Sequence, residues 1–282
     1  TYMSKKPFDL LVTDKEPLLF FEKTLIRVDD GELVALNKNG RFVIQPASTL
    51  MIYLGTGTSI TQEASIMCAL HDCFISFSRG GVYVHSVWHS GRWSDPSYLV
   101  NQALLHNDPE KRLFIAKKLI SKRLKKELVF EDFYNKINNS KTISELLGYE
   151  ANWAKNIYRK ESEFSKISFK RDFNGTDKVN SRLNLLNNAL YSLITSIILS
   201  TGLHPSIGFI HGKRRRGGLS FDLADIYKYD LTIKPAFRIP NNIGFKEIMF
   251  YLNSDLKDNN FKIIKEIVSI CLSIAKKDGE IC

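Results

Sequence analysis

From Phe20 to Trp88 the chain alternates short apolar runs with turn residues, at Asp30-Gly31, at Asn37-Lys38-Asn39-Gly40 and at Gly80-Gly81. Alternation over a short run is the pattern of a half-buried strand, and turn pairs rich in Gly and Asn join such strands into hairpins. Strands are predicted over 25–28, 32–36, 41–44, 50–54, 73–77 and 82–87. One short helix, over 62–70, follows the cap-rich Thr58-Ser59-Ile60-Thr61. The predicted product is a small β-sandwich that ends near Trp88.

The polar stretch His89-Ser90-Gly91-Arg92-Trp93-Ser94-Asp95-Pro96 then marks a change of period. Beyond it apolar residues recur at helical spacing: Leu99, Ala103 and Leu104; Leu113, Ala116, Leu119 and Ile120; Leu183, Leu186, Leu190, Ile194 and Ile197; Ile263, Ile264, Ile267, Ile270 and Ile274. The fold class is therefore α+β in two domains. Residues 1–90 form an N-terminal β-sandwich with a short helix, 91–98 a linker, and 99–282 an all-α domain. No repeat of solenoid length and no low-complexity tract is visible.

With 282 residues, 44% hydrophobic and 25% charged, the chain is long enough for two cores, which excludes a disordered or collagen-like protein. Its charge is unevenly placed. Residues 1–95 hold 9 basic and 10 acidic side chains, whereas 96–282 hold 31 and 20, a net charge of +11 that suits a polyanionic partner. Cys68, Cys73, Cys271 and Cys282 form no C-x-x-C pair, which fits reduced thiols in the cytoplasm. Cys68, His71 and Cys73 amount to half a zinc site with no second half, so core packing is the simpler reading. The opening residues lead into no apolar signal segment. The most apolar stretch, 190–199, is broken by Ser192, Thr195 and Ser196 and falls short of the ~20 residues that span a bilayer, so neither export nor membrane insertion is expected.

Chemistry concentrates in 207–225, where the apolar Ile207-Gly208-Phe209-Ile210 leads to His211 and then to the basic loop of Lys213, Arg214, Arg215 and Arg216. Phe221-Asp222-Leu223-Ala224-Asp225-Ile226 opens a helix whose first turn places Asp222 and Asp225 near one face. Asp222 by itself reads equally as a helix cap, and His211 by itself as a hydrogen-bonded core histidine. Asp225 lies deeper in an apolar segment, where an unpaired carboxylate needs a cation or donors. Together, an imidazole and two carboxylates beside four cations look like a site for a hard metal and a phosphate. Glu150 borders the apolar face of a helix carrying Leu146, Leu147, Ala151, Ala154 and Tyr158, and is either solvated or a third ligand. Lys117, Lys118, Lys122, Arg123, Lys125 and Lys126 line one side of another helix, as a charged exterior or a DNA-tracking surface.

The order Glu150, His211, Asp225, with the Gly-Phe-Ile-His211-Gly-Lys-Arg-Arg-Arg-Gly-Gly-Leu run ahead of Asp222 and Asp225, resembles the CRISPR spacer-acquisition integrase, the endonuclease of the prokaryotic adaptation machinery. The run from Leu54 through Gly55-Thr56-Gly57-Thr58 to Gln62 and the Lys213 to Gly218 loop look most like its subtype I-F branch. Asp177-Lys178-Val179-Asn180 is similar to the family's Asp-Pro-Val-Asn helix start, with Lys178 in place of a proline that mainly presets φ. The resemblance implies a β-sandwich followed by a helical catalytic domain, and Mg²⁺ or Mn²⁺ held by Glu150, His211 and Asp225, with Asp222 in support. It implies joining of a captured DNA 3′-hydroxyl to the CRISPR repeat by transesterification, and cleavage of branched DNA by the reverse chemistry. Lys213, Arg214, Arg215, Arg216, Lys122, Arg123 and Lys126 are the expected DNA contacts. The expected partners are double-stranded and branched DNA, a second copy of the chain, and a second adaptation subunit fused in this subtype to a helicase-nuclease. A non-catalytic DNA-binding scaffold and a metal-dependent RNA nuclease are the rival readings.

Weaker signals carry less. Gly55-Thr56-Gly57-Thr58 lacks the Gly-Lys-Ser/Thr ending of a P-loop and reads as a strand-to-helix turn. His71-Asp72 has no preceding histidine to complete a phosphohydrolase dyad. Trp88, Trp93 and Tyr98 fit domain packing better than base stacking.

Overall fold

The computed structural model describes residues 12–79, 82–84, 95–126, 131–211 and 217–276. The chain divides into two compact units, Thr1–Trp93 with Gly244–Glu266, and Ser94–Ile243 with Ile267–Cys282. The first unit thus takes in a late helical stretch as well as the strands.

In the first unit β1 (Leu19–Phe21), β2 (Leu25–Asp29), β3 (Glu32–Asn37), β4 (Gly40–Ile44), β5 (Met51–Leu54) and β6 (Ser59–Ile60) precede α1 (Gln62–Leu70), with β7 (Phe74–Arg79) and β8 (Val82–Val84) after it. They make two four-stranded sheets, ordered β4-β3-β2-β6 and β1-β5-β7-β8. Ile26, Leu33, Ala35 and Ile44 of one sheet and Ile52, Leu54 and Ile75 of the other share a core with Ala64, Cys68 and Cys73, so the sandwich and its covering helix are real. Hairpins account for only part of it. β2, β3 and β4 form an antiparallel meander, but β1, β5 and β7 pair in parallel, as do β2 and β6. Parallel pairing buries β5 on both faces, which is why Met51-Ile52-Tyr53-Leu54 is apolar throughout and not alternating. β1 and β6 are too short to register as a period. Of the strand expected over 82–87, residues 85–87 lie outside the described residues. The late stretch is tied to the strands through Glu16, whose Oε1 accepts from Asn253 Nδ2 at 2.7 Å and Lys257 Nζ at 2.6 Å.

The second unit comprises α2 (Pro96–Asn107), α3 (Pro109–Lys126), α4 (Glu131–Asn139), α5 (Ile143–Ser165), α6 (Lys178–Ser200), α7 (Gly218–Ala224), a π-helical turn (Tyr229–Ile233) and α8 (Lys234–Arg238); α9 (Phe245–Ala275) begins in the first unit and ends in this one. Asp95 caps α2 and Pro96 opens it, so a helix starts inside the segment predicted as linker. α6 is the central element. Asp177 caps it by accepting from Asn180 N at 3.0 Å, as the Asp177-Lys178-Val179-Asn180 motif implies, and its residues are buried on almost every side. Among the described residues α6 is the one helix long and apolar enough to cross a membrane, and 78% of its most apolar window is packed inside the protein.

Thr195 and Ser196, two of the polar residues that interrupt the apolar run, have hydrogen-bond partners. Thr195 Oγ1 donates to Tyr191 O at 2.7 Å and lies 2.7 Å from Ser220 Oγ of α7, and Ser196 Oγ donates to Ser192 O at 3.0 Å. α2 departs from its apolar spacing. Gln102 and Leu105 are buried, whereas Leu99 and Leu104 are 42% and 50% exposed.

Candidate active site

The reversed face of α2 explains how His211 is held. Residues 204–211 form no helix or strand, so their backbone polar groups need partners from side chains. Buried Gln102 accepts from His204 N at 2.8 Å and donates to His204 O and Ile207 O at 2.9 and 2.8 Å. His106 Nδ1 donates to Gly208 O at 2.6 Å, and Arg112 Nε to Phe209 O at 2.9 Å. On the other side the segment crosses the start of α7 so closely that a Cβ at Gly208 would stand 2.4 Å from the Gly218 carbonyl carbon and 2.7 Å from Asp222 Oδ2. Only glycine fits there. Phe209 and Ile210 are buried and anchor the run that ends at His211.

Asp222 completes the cradle. Its Oδ2 accepts from Phe209 N at 2.5 Å and Ile210 N at 3.0 Å, and its Oδ1 from His211 N at 3.1 Å and His211 Nδ1 at 2.9 Å. α7 begins at Gly218, not at Phe221, so Asp222 sits in its second turn and caps no helix end. Its carboxylate gathers the backbone of the neighbouring loop instead. Because a carboxylate only accepts, Nδ1 carries a proton, which leaves Nε2 to face Glu150 Oε2, 3.7 Å away.

Asp225 ends α7 as its C-cap, at the negative pole of the helix, where a carboxylate is disfavoured without a cation. Lys228, three residues on, pairs with Asp225 Oδ1, and its Nζ lies 4.9 Å from the Tyr191 ring centroid. Tyr191 in turn packs edge-on against Phe221 at 4.8 Å. Glu150 Oε1 pairs with Arg123 NH1 at 2.9 Å. Among the described residues Glu150, His211 and Asp225 form the one group of three acid, thiol or imidazole side chains whose ligand atoms all lie within 4.8 Å of one another.

Burial and then the charge of Asp225 push the Glu150 carboxyl up to about 7, against Arg123 and His211. For Asp225 burial also opposes ionisation, but Lys228, Arg123 and His211 outweigh it and hold the carboxyl well below the usual range. Burial would lower the His211 pKa, yet the Asp222 hydrogen bond and the charges of Asp225, Asp222 and Glu150 keep it raised. The donor set of two carboxylate oxygens and an imidazole nitrogen suits a hard divalent cation that keeps part of its water shell, and a soft thiolate-seeking ion has no sulfur here. Cys68 and Cys73 lie in the sandwich core instead.

The structure brings Glu150, His211, Asp225 and Asp222 together across α5, the 204–211 segment and α7. Of the residues expected on DNA, Arg123 is 4% exposed and turned to Glu150. Lys122 lies partly exposed on α3, Lys126 closes that helix, and Lys213, Arg214, Arg215 and Arg216 lie outside the described residues, as do Trp88 and Trp93. Gln102, His106, Arg112, Tyr191 and Lys228 contribute to the site with no motif to announce them. Lys228 had a signal in its spacing of three from Asp225; Gln102 had one as a polar residue in an apolar helix.

A model of the family described as CRISPR associated protein Cas1 matches residues 18–130 and 128–257. A CRISPR-associated endonuclease Cas1 of Clostridium sp. (strain SY8519) is 31% identical over 242 residues, covering 81% of this chain and 74% of that protein. The crystal structure of a TtCas1-DNA complex superposes with a TM-score of 0.75 at 21% identity, over 92% of this chain and 91% of that one. A casposase bound to integration product gives 0.74 at 18% identity, over 92% and 91%. Because the match runs from the first strands to residue 257, past both aspartates of the site, the chain belongs to the Cas1 family of CRISPR-associated proteins.

Proposed function

We propose that this chain is a metal-dependent DNA integrase and endonuclease of CRISPR adaptation, which joins the 3′-hydroxyl of a captured fragment to the repeat by transesterification and cleaves branched DNA by the reverse step. The observation that carries this reading is the meeting of Glu150, His211 and Asp225 within 4.8 Å in a unit rich in cations. The relative from Clostridium is named an endonuclease, and the casposase was solved on an integration product, which supports the same class of reaction. The structure solved as a TtCas1-DNA complex supports DNA as the partner.

In this reading the Glu150 and Asp225 carboxylates and His211 Nε2 hold Mg²⁺ or Mn²⁺, and Asp222 fixes the tautomer and aim of the imidazole. When bound, such an ion supplies charge neutralisation at the transferred phosphoryl group and at the departing oxygen. The attacking 3′-hydroxyl forms the new P–O bond as the old one breaks in line, and the leaving 3′-hydroxyl takes up a proton in place of the one the attacker loses. Arg123 favours the ionised form of Glu150 and holds it in place, and Lys213, Arg214, Arg215 and Arg216 hold the flanking phosphates. The chain acts in the prokaryotic cytoplasm as a homodimer beside a second adaptation subunit. The Gly55-Thr56-Gly57-Thr58 turn and the basic loop favour the subtype I-F branch, in which that subunit is fused to a helicase-nuclease.

Strand transfer of a labelled 3′-end into a repeat-containing duplex tests the assignment. Wild type is expected to be active with Mg²⁺ or Mn²⁺ and silent with a chelator. His211→Ala and Asp225→Ala are each expected to fall by at least roughly 100-fold while still binding DNA. Undiminished turnover in either variant would overturn the site. DNA binding with no metal-dependent turnover in wild type would leave a scaffold, and preferential cleavage of single-stranded RNA would leave a ribonuclease.

A further inference from the structure

The loop 166–177 between α5 and α6 presents Phe173 with 77% of its surface exposed, more than any other large apolar side chain among the described residues. Exposure alone means little, but this ring is mounted rigidly. Arg171 donates from NH1 to Asp172 O and Asn180 Oδ1, each at 2.8 Å, and from NH2 to Asn184 Oδ1 at 2.7 Å. Asn184 Nδ2 donates to Phe173 O at 3.0 Å, and buried Asn180 accepts from Asp172 N and donates to Lys170 O, each at 3.0 Å. Gly175 lets the loop close over this clamp, since a Cβ there would stand 2.9 Å from Asn180 Nδ2. Phe169 pins the loop from below, edge-on to Phe237 at 4.8 Å.

The Arg171 guanidinium so fixed lies over one face of the Phe173 ring, 4.4 Å from its centroid. The same segment carries the exposed polar residues Asn174 and Thr176 and the exposed Lys166, Lys170 and Lys178, within seven residues of Phe173 along the chain. The nearby acids face the chain itself: Asp172 Oδ1 accepts from Asn174 N at 2.9 Å and Asp177 Oδ1 from Asn180 N at 3.0 Å. A rigid aromatic backed by a cation, on a segment that carries three exposed lysines, matches the surface on which a nucleic-acid base stacks while its phosphates are neutralised.

We propose that Phe173, backed by Arg171, is a stacking platform for an unpaired base of the branched DNA, with Lys166, Lys170 and Lys178 on the adjoining phosphates. The proposal rests on the integrase reading and adds to it a residue that senses where the duplex opens. Asn180 and Tyr191 are separated along α6 by about 16 Å at ~1.5 Å per residue, so the platform stands a few nucleotides from the His211 centre.

The test uses the full chain, a forked duplex with unpaired arms carrying 2-aminopurine, and a blunt duplex of equal length. Phe173→Ala is expected to weaken binding to the fork by roughly 5- to 150-fold and to leave the blunt duplex unchanged. Phe173→Trp is expected to keep fork affinity, and wild type and Phe173→Trp to quench 2-aminopurine at one arm position where Phe173→Ala does not. Unchanged fork affinity in Phe173→Ala, equal loss on both duplexes, or failure of Phe173→Trp to match wild type overturns the platform. So does weaker retention of the second adaptation subunit with fork affinity intact, which would mark a protein contact. If wild type neither prefers the fork nor joins strands, the integrase reading fails and takes the platform with it; if it does both and Phe173→Ala is indistinguishable, the platform alone fails.

Discussion

Four donors converge on the carboxylate of Asp222: the backbone N–H groups of Phe209, Ile210 and His211, and the His211 ring. A buried N–H left without an acceptor costs about 1–3 kcal/mol, so one side chain secures the shape of a loop that has no secondary structure of its own. Asp225, three residues on, differs in kind. It answers cations, not backbone, and its environment favours the charge it would offer a metal. Asp222→Ala is therefore expected to destabilise the protein by roughly 3–5 kcal/mol in urea unfolding. Asp225→Asn, which keeps a hydrogen-bond acceptor toward Lys228, is expected to lie much closer to wild type. The reverse order would show that Asp222 does not hold the loop.

At the scale of elements, helix ends and a polar helix face position the chemistry. α7 is short and stops at Asp225, and α5 presents Glu150 near its middle. α6 carries Tyr191 and Thr195 toward α7, and its start is set by Asp177. The Asp177 carboxyl is held below its ordinary range chiefly by the Asn180 backbone hydrogen bond. A depressed folded-state pKa contributes stability that is present above the unfolded value near ~4 and lost as pH falls through the folded one. Asp177→Ala is expected to lower stability by about 1 kcal/mol at neutral pH, with the gap from wild type closing below roughly pH 4. A gap that persisted undiminished in acid would show that packing of the cap, not its charge, is what matters.

Across the whole molecule the excess of basic side chains belongs to residues 96–282, which carry a net charge of +11 against −1 for the rest. Such a surface attracts DNA through counterion release, so affinity falls with salt by a slope of about −0.9 per phosphate contact. α3 shows that not every cation shares in this. Lys118 is exposed on it, whereas Arg123 is buried against Glu150. On duplex DNA Lys118→Ala is expected to flatten the slope of log affinity against log salt by about 0.9. Arg123→Ala is expected to leave the slope alone and to lose strand transfer, because Glu150 and Asp225 are left facing one another. A flattened slope in Arg123→Ala would return that residue to the DNA surface.

The strands of the meander, the covering helix over 62–70 and the helical character of the second unit could all be read from periodicity and turn chemistry, because these depend on residues close together in the chain, and the α6 start at Asp177 from a family motif. The quartet of Glu150, His211, Asp222 and Asp225 was legible from residue types and from a family's order of motifs. Parallel pairing of β1, β5 and β7 was not, since a crossover between distant strands leaves no local pattern. Nor was the inward turn of Gln102, where the demand of the 204–211 backbone for partners overrides the burial of Leu99 and Leu104. Local order determined which elements form; only the tertiary structure decided which of their polar groups meet, because a buried carboxylate, guanidinium or amide is placed by the partners that satisfy it and not by its neighbours in sequence.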